Sequence, residues 1–213
     1  MHHKRSFRRK LQTFFLSLLL VLLTVAGVPS AAYTAEAASA DTTMAVHFLD
    51  VGQGLSILVQ SQGQNLLYDG GDRGHSSFVV SYLQKQNISI IDYMISSHYD
   101  EDHVAGLVGC LDSFSVKNVI GADYVQDTKI YQSFENSVAS QGLTVQHPEP
   151  GTDFTFGGGK FTVLSPQSIS SNDNDNSVAI RLENGNNHFF LPGMQNLPGR
   201  KRSVIWDLIF PAM

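Results

Sequence analysis

Short apolar stretches alternate with polar, glycine-containing turns along most of this chain. Residues 44–50 (MAVHFLD) alternate between apolar and polar positions, which is typical of a strand with one buried face. The same pattern predicts further strands over residues 55–60, 65–69, 90–97, 116–121, 143–147, 153–164, 177–183 and 187–191. The 153–164 stretch contains a Gly-Gly-Gly turn at its centre, so we expect it to form a hairpin.

Three segments have the apolar spacing of helices. Residues 78–86 place Val79 and Leu83 on one face, and Ser76 and Ser77 precede them as candidate caps. Two further helices are expected at about 103–112 and 127–141. An early run of strands followed by strand–helix units predicts a mixed α/β fold.

The N-terminal segment has the layout of a secretory signal. Residues 1–10 hold five Lys/Arg, residues 11–28 carry no charge, and two A-x-A sites follow. A basic start, an apolar centre and small residues at a cleavage site are the features of a cleaved signal over residues 1–40. The alternative is an uncleaved membrane anchor at 11–28, because 18 apolar residues are near the length that spans a bilayer. We therefore expect a secreted or a membrane-anchored protein.

The cysteine count and the net charge exclude several classes of protein and of binding site. The 213 residues include one cysteine, which excludes an intrachain disulfide framework and a cysteine-rich zinc ribbon. The formal net charge is −5, but without residues 1–40 nine cations and 18 acids remain, a net charge of −9. Such a surface repels nucleic-acid phosphates unless metal ions or a basic patch intervene. Cations cluster only at residues 200–202, so the body has no basic nucleic-acid patch, and membrane contact is expected only through the N-terminal segment.

One short segment carries most of the candidate chemistry. Residues 98–103 read HYDEDH, so His98, Asp100, Asp102 and His103 are four candidate metal ligands within six positions. In an extended stretch alternate side chains share a side, so the first three can converge, while the last opens the following helix. Neighbouring residues point in different directions, which suits two metal ions better than one. A loop that follows a strand and enters a helix is also a common place for a site in α/β proteins.

The 98–103 segment resembles the H-x-H-x-D-H motif of the metallo-β-lactamase fold, with an aspartate in place of the second histidine. That substitution is usual in the ComEC-type competence branch. Three other segments resemble the same branch: residues 47–54 (HFLDVGQG), 67–71 (LYDGG) and 174–177 (NDNS). The resemblance covers residues 44–193 and implies an αββα sandwich, here its N-terminal half plus part of the second half. It also implies a two-metal site that hydrolyses a phosphodiester or similar bond.

Transferred by position, the resemblance assigns roles to individual residues. His98 and Asp100 would hold the first metal ion. Asp102 and His103 would hold the second and are the predicted catalytic residues. Zinc or manganese is expected, because a carboxylate in place of an imidazole makes the site harder. Asp69 would lie behind the ligands and orient one of them or the loop; the alternative is a turn aspartate before two glycines.

The sequence departs from the family pattern in three places. Leu55 stands where the family commonly has aspartate after G-Q-G, and Ala105 replaces a usual glycine. After the apolar strand 188–191 the family continues with Gly-Asp, whose aspartate bridges both metals, whereas this chain has Gly193-Met194. Methionine cannot bridge two hard cations. We therefore expect this chain to bind divalent metal weakly, with fewer than two ions per molecule.

Residues 194–213 do not continue the family pattern. Codons for residues 192–197, read one nucleotide earlier, can spell Gly-Asp-Ala-Glu, which the family shows at this place. We therefore expect residues 41–193 to be an incomplete domain and residues 194–213 to be a frameshifted tail. The alternative is a divergent natural tail.

Three functions stay open at this point. The first is a secreted metal-dependent hydrolase acting on a phosphodiester, with a small-molecule or nucleic-acid substrate. The second is a non-catalytic, truncated remnant with an incomplete metal site. The third is a hydrolase that cleaves a lactam or thioester.

The remaining candidates are weaker. His47 lies in a predicted strand and is expected to be structural, and His188, in the last strand, is expected in the core or at the surface. His75 and His147 are expected in exposed loops. Residues 170–176 (SSNDNDN) are rich in oxygen ligands but lack the pattern of a calcium loop, which favours a polar loop.

Overall fold

A computed structural model describes residues 43–193, and three helices and two main β-sheets form its layers. The strands are β1 Met44–Phe48, β2 Ile57–Ser61, β3 Gln64–Tyr68, β4 Ile90–Ile91, β5 Tyr93–Ile95, β6 Ser115–Val116, β7 Val119–Ile120, β8 Val145–Gln146, β9 Asp153–Phe156, β10 Gly159–Val163, β11 Ile180–Asn184 and β12 Asn187–Leu191. The helices are α1 Ser76–Lys85, α2 Glu101–Ser113 and α3 Lys129–Ser140. Two 3₁₀ turns lie at Arg73–His75 and Asp173–Asn176.

The first sheet has the strand order β1-β2-β3-β5-β7-β8. Its first two pairings are antiparallel, and the remaining three are parallel. In the parallel pair β3 and β5, Tyr68 lies opposite Ile95. Both strands therefore end at the same edge of the sheet, and the residues that follow them meet there. The second sheet is antiparallel, in the order β12-β11-β10-β9, and β4 pairs separately with β6.

Two apolar cores lie on opposite faces of the first sheet. Leu67 of β3 faces the helices, and its neighbours Leu66 and Tyr68 face the second sheet. This alternation follows from the two-residue period of a strand. Cys110 of α2 is fully buried in the helix-side core. The hydroxyl of Tyr68 donates to the Val178 carbonyl at 2.7 Å, which ties the two sheets together.

Two glycines allow α2 to approach the loop after β3 closely. A Cβ atom on Gly106 would clash with the carbonyl of Gly70, and one on Gly70 would clash with the backbone of α2. The Gly70 N–H donates to the His103 carbonyl at 2.8 Å, and the Gly106 N–H donates to the Gly71 carbonyl at 3.0 Å. The first turn of α2 is thereby fixed against the end of β3.

The mixed α/β prediction is confirmed, and several local predictions are wrong. The predicted 90–97 strand is broken at Asp92, whose carboxylate accepts from the Asn65 N–H at 2.9 Å and from Lys117 at 2.7 Å. Ser76 and Ser77 do not cap α1; they are its first residues. The position before them is His75, which makes no capping hydrogen bond through its side chain.

The start of α2 also differs from the prediction. The helix begins at Glu101 rather than near 103, because Asp100 is extended and takes the N-cap position. Asp102 therefore lies in the first helical turn, so its predicted placement in an extended stretch is wrong. Helix α3 is shorter than predicted, because Thr128 caps it by accepting from the Tyr131 N–H at 3.3 Å.

Several predictions concern segments outside the described residues. These are the signal at 1–40, the alternative anchor at 11–28, and the divergent or frameshifted tail at 194–213. Among residues 43–193, no helix is long and apolar enough to cross a membrane.

Candidate metal centre

The candidate ligands lie where β3 and β5 end. The chain leaves β5 at Ile95, passes through His98, and enters α2 at Glu101. His103 follows in the first turn of that helix. The rings of His98 and His103 lie 4.1 Å apart between centroids, and each residue is only 1% exposed. Two histidines five positions apart in sequence thus become buried neighbours.

Asp69 is the hydrogen-bonding centre behind these two rings. It follows β3, is fully buried, and has a left-handed backbone with φ of 58°. Its Oδ1 accepts from the Ser97 N–H at 2.7 Å, and its Oδ2 accepts from the Ser97 hydroxyl at 2.7 Å. His103 Nδ1 lies 2.9 Å from the same Oδ2. One carboxylate therefore organises both the loop before His98 and the ring of His103.

This network determines which nitrogen of each imidazole is free. A carboxylate only accepts hydrogen bonds, so His103 must donate Nδ1–H to Asp69. The Ser97 hydroxyl uses its single proton on Asp69, so it must accept Nδ1–H from His98, 2.9 Å away. In both neutral rings the Nε2 lone pair is then available, the arrangement that a metal-ligating histidine requires.

Each free Nε2 atom faces one carboxylate of the motif. His98 Nε2 lies 3.4 Å from Asp100 Oδ2, and His103 Nε2 lies 3.9 Å from Asp102 Oδ2. Two donors bound to one zinc-sized ion at a tetrahedral angle would lie about 3.4 Å apart. The His98–Asp100 pair has this spacing, and the Asp102–His103 pair is about 0.5 Å wider. Imidazole nitrogen and carboxylate oxygen are both ordinary ligands of divalent cations.

The described part of the chain does not bring more than two such donors together at either position. Within residues 43–193, no group of three or more His, Cys, Asp or Glu side chains is placed so that it could hold a metal ion. The structure thus brings His98 close to Asp100 and Asp102 close to His103. It does not gather all four residues into one cluster.

The two histidines differ in their proton affinity. Burial and the neighbouring His103 lower the pKa of His98, although Asp69 and the motif carboxylates oppose this shift. Burial also acts to lower the pKa of His103, but Asp69, Asp102 and Asp100 outweigh it, and that pKa is raised. A cation at the second position would compete with a proton more strongly than one at the first.

Several residues that were not predicted as site residues support the motif. Ser97 links Asp69 to His98, as described above. Gln53 Nε2 lies 3.4 Å from Asp102 Oδ2, and Gln126 Nε2 lies 3.4 Å from Asp100 Oδ1. Tyr99 is buried beneath the loop and donates its hydroxyl to the Ala122 carbonyl at 2.8 Å. A serine, two glutamines and a tyrosine have ordinary structural roles in most proteins, so only the fold identifies these contacts.

A polar cleft of about 740 Å³ opens beside Asp100. The loop before α3 and the first residues of α3 form one wall, with Val125 81% exposed on the rim. Arg73 and Lys129 supply positive charge to the lining, and Arg73 pairs with Glu101 at 3.3 Å. A substrate at the motif would therefore have a bordering groove with both positive and negative groups.

The second sheet reaches the motif through two backbone segments. The Val178 N–H donates to the Ser97 carbonyl at 2.7 Å. Gly193, just after β12, is buried and lies so close to Ser177 and Ser97 that a side chain would not fit without movement. The chain therefore returns to the motif at the position where the family pattern places Gly-Asp. At the rim, Leu55 packs against the core between the sheets and accepts at its carbonyl from the Gly71 N–H at 2.8 Å.

The weaker candidates lie apart from the paired ligands. His47 of β1 is half-buried and contacts the Tyr82 hydroxyl at 2.9 Å, and His188 is exposed on β12. His75 Nδ1 lies 2.8 Å from Asp72, and His147 Nδ1 lies 3.0 Å from the Gly121 carbonyl. The 170–176 loop is polar and contains the second 3₁₀ turn.

Comparisons with known proteins identify the family of this chain. Residues 49–168 match the family model of the metallo-beta-lactamase superfamily. Recombination protein 2 of Haemophilus influenzae is 31% identical over 157 residues, which cover 71% of this chain and 18% of that protein. ComE operon protein 3 of Bacillus subtilis is 24% identical over 70% of this chain and 22% of that protein. The chain thus spans about a fifth of the length of these curated relatives.

A solved structure shows the same fold. A metallo-β-lactamase with a HARLDQ motif from Cronobacter sakazakii superposes with a TM-score of 0.53 at 12% identity. The match covers 78% of this chain and 65% of that protein. The chain therefore belongs to the metallo-β-lactamase superfamily, as a ComEC-type protein of that fold.

Proposed function

We propose that this protein is a metal-dependent hydrolase that cleaves phosphodiester bonds at the His98–His103 motif. His98 and Asp100 would hold one divalent cation, and Asp102 and His103 a second, with zinc or manganese as the candidates. Two such ions activate water and neutralise charge on the attacking and leaving oxygens.

The observation that carries this proposal is the orientation of the two buried imidazoles. Each ring has its Nδ1 committed to the Ser97–Asp69 network, and each presents Nε2 to a carboxylate. A purely structural pair of histidines would have no need to keep both Nε2 atoms free. Holding ligands rigidly before the metal arrives is what a metal site requires of its protein.

Other residues around the motif position the candidate ligands and the substrate. Asp69 fixes the ring of His103 directly and the ring of His98 through Ser97. The buried Tyr99, packed 4.7 Å from Tyr131 between ring centroids, holds the loop from below. The cleft beside Asp100 would bind the part of the substrate next to the scissile bond.

A phosphodiester substrate is favoured over a lactam or thioester by the relatives. Their names refer to recombination and to the ComE operon, and recombination acts on DNA. The charge of the body argues for dependence on divalent cations, because the described residues hold six Lys/Arg against 16 Asp/Glu. Binding of a long nucleic acid would then require bound metal to offset the repulsion.

The experiment compares substrates and variants in parallel. The purified chain is assayed with bis(4-nitrophenyl) phosphate, a single-stranded oligonucleotide, a chromogenic cephalosporin and a thioester, with manganese or zinc. We expect the two phosphodiesters to be cleaved and His98→Ala to abolish cleavage, with His188→Ala as the matched control. Cleavage of only the cephalosporin or thioester, or equal activity in His98→Ala, would contradict the proposal.

A second function has its own observations. Only two donors converge at each position among residues 43–193, and Met194 stands where the family has its bridging aspartate. These facts favour a chain that binds one ion weakly and does not catalyse. Isothermal titration with manganese and zinc separates the two functions: weak binding of fewer than two ions, without turnover of any substrate, would support the non-catalytic form.

Secretion is part of the same proposal. The basic start, the uncharged 11–28 stretch and the A-x-A sites support export with removal of residues 1 to about 40. N-terminal sequencing of protein recovered from the medium tests this. An intact Met1 on membrane-bound protein would favour the anchor instead.

A further inference from the structure

Gln126 contacts both the candidate metal site and the second half of the sandwich. It lies in the loop between β7 and α3. Its Nε2 is 3.4 Å from Asp100 Oδ1 and 2.8 Å from Asp173 Oδ2. Its Oε1 is 3.5 Å from the Thr128 hydroxyl. An amide nitrogen has two protons, so one can be donated to each carboxylate.

Asp100 is the candidate ligand that most needs such a contact. Its side chain is 42% exposed, and it makes no capping hydrogen bond to α2 although it occupies the N-cap position. Oδ2 faces His98 Nε2, which leaves Oδ1 to be oriented by another group. A carboxylate at this position is shorter than an imidazole and can rotate to present either oxygen. A donor to Oδ1 would restrict that rotation.

Asp173 lies in a turn that is held by several hydrogen bonds. It begins the second 3₁₀ turn, in which Asn172 accepts from the Asn174 N–H at 3.3 Å. The buried Asn176 side chain bonds both the N–H and the carbonyl of Ser170, at 2.6 and 3.0 Å. The asparagine side chains of this run therefore stabilise the turn from which the Asp173 carboxylate reaches Gln126.

We propose that Gln126 is a positioning residue that aligns Asp100 for metal binding, and that Asp173 holds Gln126 in place. The proposal rests on the function proposed above. Asp173 and Gln126 would then connect the 170–176 loop to Asp100, the candidate ligand of the first metal ion. Substitutions in the 170–176 loop would then weaken metal binding without touching a ligand.

The first test replaces the amide with an apolar group of similar length. Gln126→Met is compared with Gln132→Met, which removes a side-chain amide that donates to Asp127 Oδ1 at 3.3 Å. Isothermal titration with manganese should show at least about a 10-fold weaker affinity in Gln126→Met and wild-type affinity in Gln132→Met. The urea midpoints of both metal-free variants should agree. Unchanged affinity, or a loss explained by a lower midpoint, would overturn the proposal.

The second test asks whether Asp173 acts through Gln126. Asp173→Ala should weaken manganese binding, while Asp123→Ala, the same charge change at an exposed acid 4.0 Å from His147 Nε2, should not. The double variant Gln126→Met/Asp173→Ala should be no weaker than the worse single variant, because both changes break one connection. Fully additive losses would show that the two residues act separately and would overturn the proposal.

The outcome for the wild-type chain separates the two proposals. If the wild type binds manganese and Gln126→Met binds it equally well, only the role of Gln126 fails. If the wild type binds neither manganese nor zinc, the metal-dependent function fails, and the role of Gln126 fails with it.

Discussion

The two β-sheets of this protein contribute to the candidate site in different ways. In the first sheet, the parallel strands β3 and β5 end side by side, and the residues that follow them form a buried polar network. The second sheet is antiparallel, and its outward-facing residues form ion pairs, such as Lys160 with Asp153 at 2.7 Å and Arg181 with Glu183. Among residues 43–193, it reaches the site through backbone contacts and the 170–176 loop.

The difference follows from strand direction. Parallel neighbours bring the residues after each strand to one edge, so a short sequence after β5 can meet Asp69 from a distant part of the chain. Antiparallel hairpins return after a few residues and leave their loops at opposite ends. We therefore expect substitutions at the first edge to be costly and those on the outer face of the second sheet to be mild.

The largest effect is expected for Asp69→Ala. It would leave two groups of Ser97 and one of His103 without their buried acceptor, and each such loss costs about 1–3 kcal/mol. We expect the free energy of unfolding of the metal-free protein to fall by about 3 kcal/mol or more, measured by urea denaturation. Asp112→Ala, at an exposed acid that accepts only from Ser137 at 3.3 Å, is the control and should be nearly neutral.

A small effect of Asp69→Ala would mean that the hydrogen bonds of Asp69 do not stabilise the residues that follow β3 and β5. Substitutions there would then be no more costly than those on the outer face of the second sheet.

Ser97→Ala should have an intermediate effect. It removes the hydroxyl between Asp69 and His98, which is worth about 1–2 kcal/mol when buried, and it frees the His98 ring. Metal affinity should fall by about 10–100-fold. Ser96→Ala is the matched control, because the Ser96 hydroxyl donates to the His98 carbonyl at 2.8 Å and does not touch the ring. Equal metal affinity in the two variants would contradict the assigned link.

Tyr68→Phe tests the connection between the sheets and should have a smaller effect. Burial and the adjacent Asp69 raise the pKa of Tyr68 far above its usual value, so its hydroxyl stays protonated and can donate to Val178. Its loss should cost about 1 kcal/mol in urea denaturation. Tyr93→Phe removes a longer, exposed bond to the Thr155 carbonyl at 3.4 Å and should cost less. The reverse order would contradict the proposed tie.

The smallest effect is expected for Lys160→Met on the outer face of the second sheet. Its nearest partner, Asp153, has a half-exposed side chain, and ion pairs that are accessible to solvent contribute little to stability. The urea midpoint should match that of the wild type. A clear drop would show that the outer face contributes to stability as the first edge does.

Much of the fold was predictable because strand alternation and helix spacing are local signals. Val79 and Leu83 are buried in the predicted helix. The HYDEDH motif after β5 can be recognised directly in the sequence. The boundaries were less predictable, because they depend on side-chain contacts from other segments. Asp92 interrupts a predicted strand through Asn65 and Lys117, which no local pattern reveals.

The supporting residues of the site show the same limit. Asp69 was identifiable from its resemblance to a family motif, but Ser97 and Gln126 were not. Their importance comes from distances between side chains that are 28 and 26 positions apart in sequence. Hydrophobic period and motif spacing carry no information about such contacts.

The buried Cys110 has a practical consequence. It is the only cysteine of the chain, it lies in α2 seven residues after His103, and burial raises the pKa of its thiol to about 12. A thiol reagent reacts with the thiolate, so labelling must wait until the helix opens. If a cation bound at His103 stabilises that helix, it will slow the labelling. The native chain therefore carries its own reporter of site occupancy, readable without a substrate or an added dye.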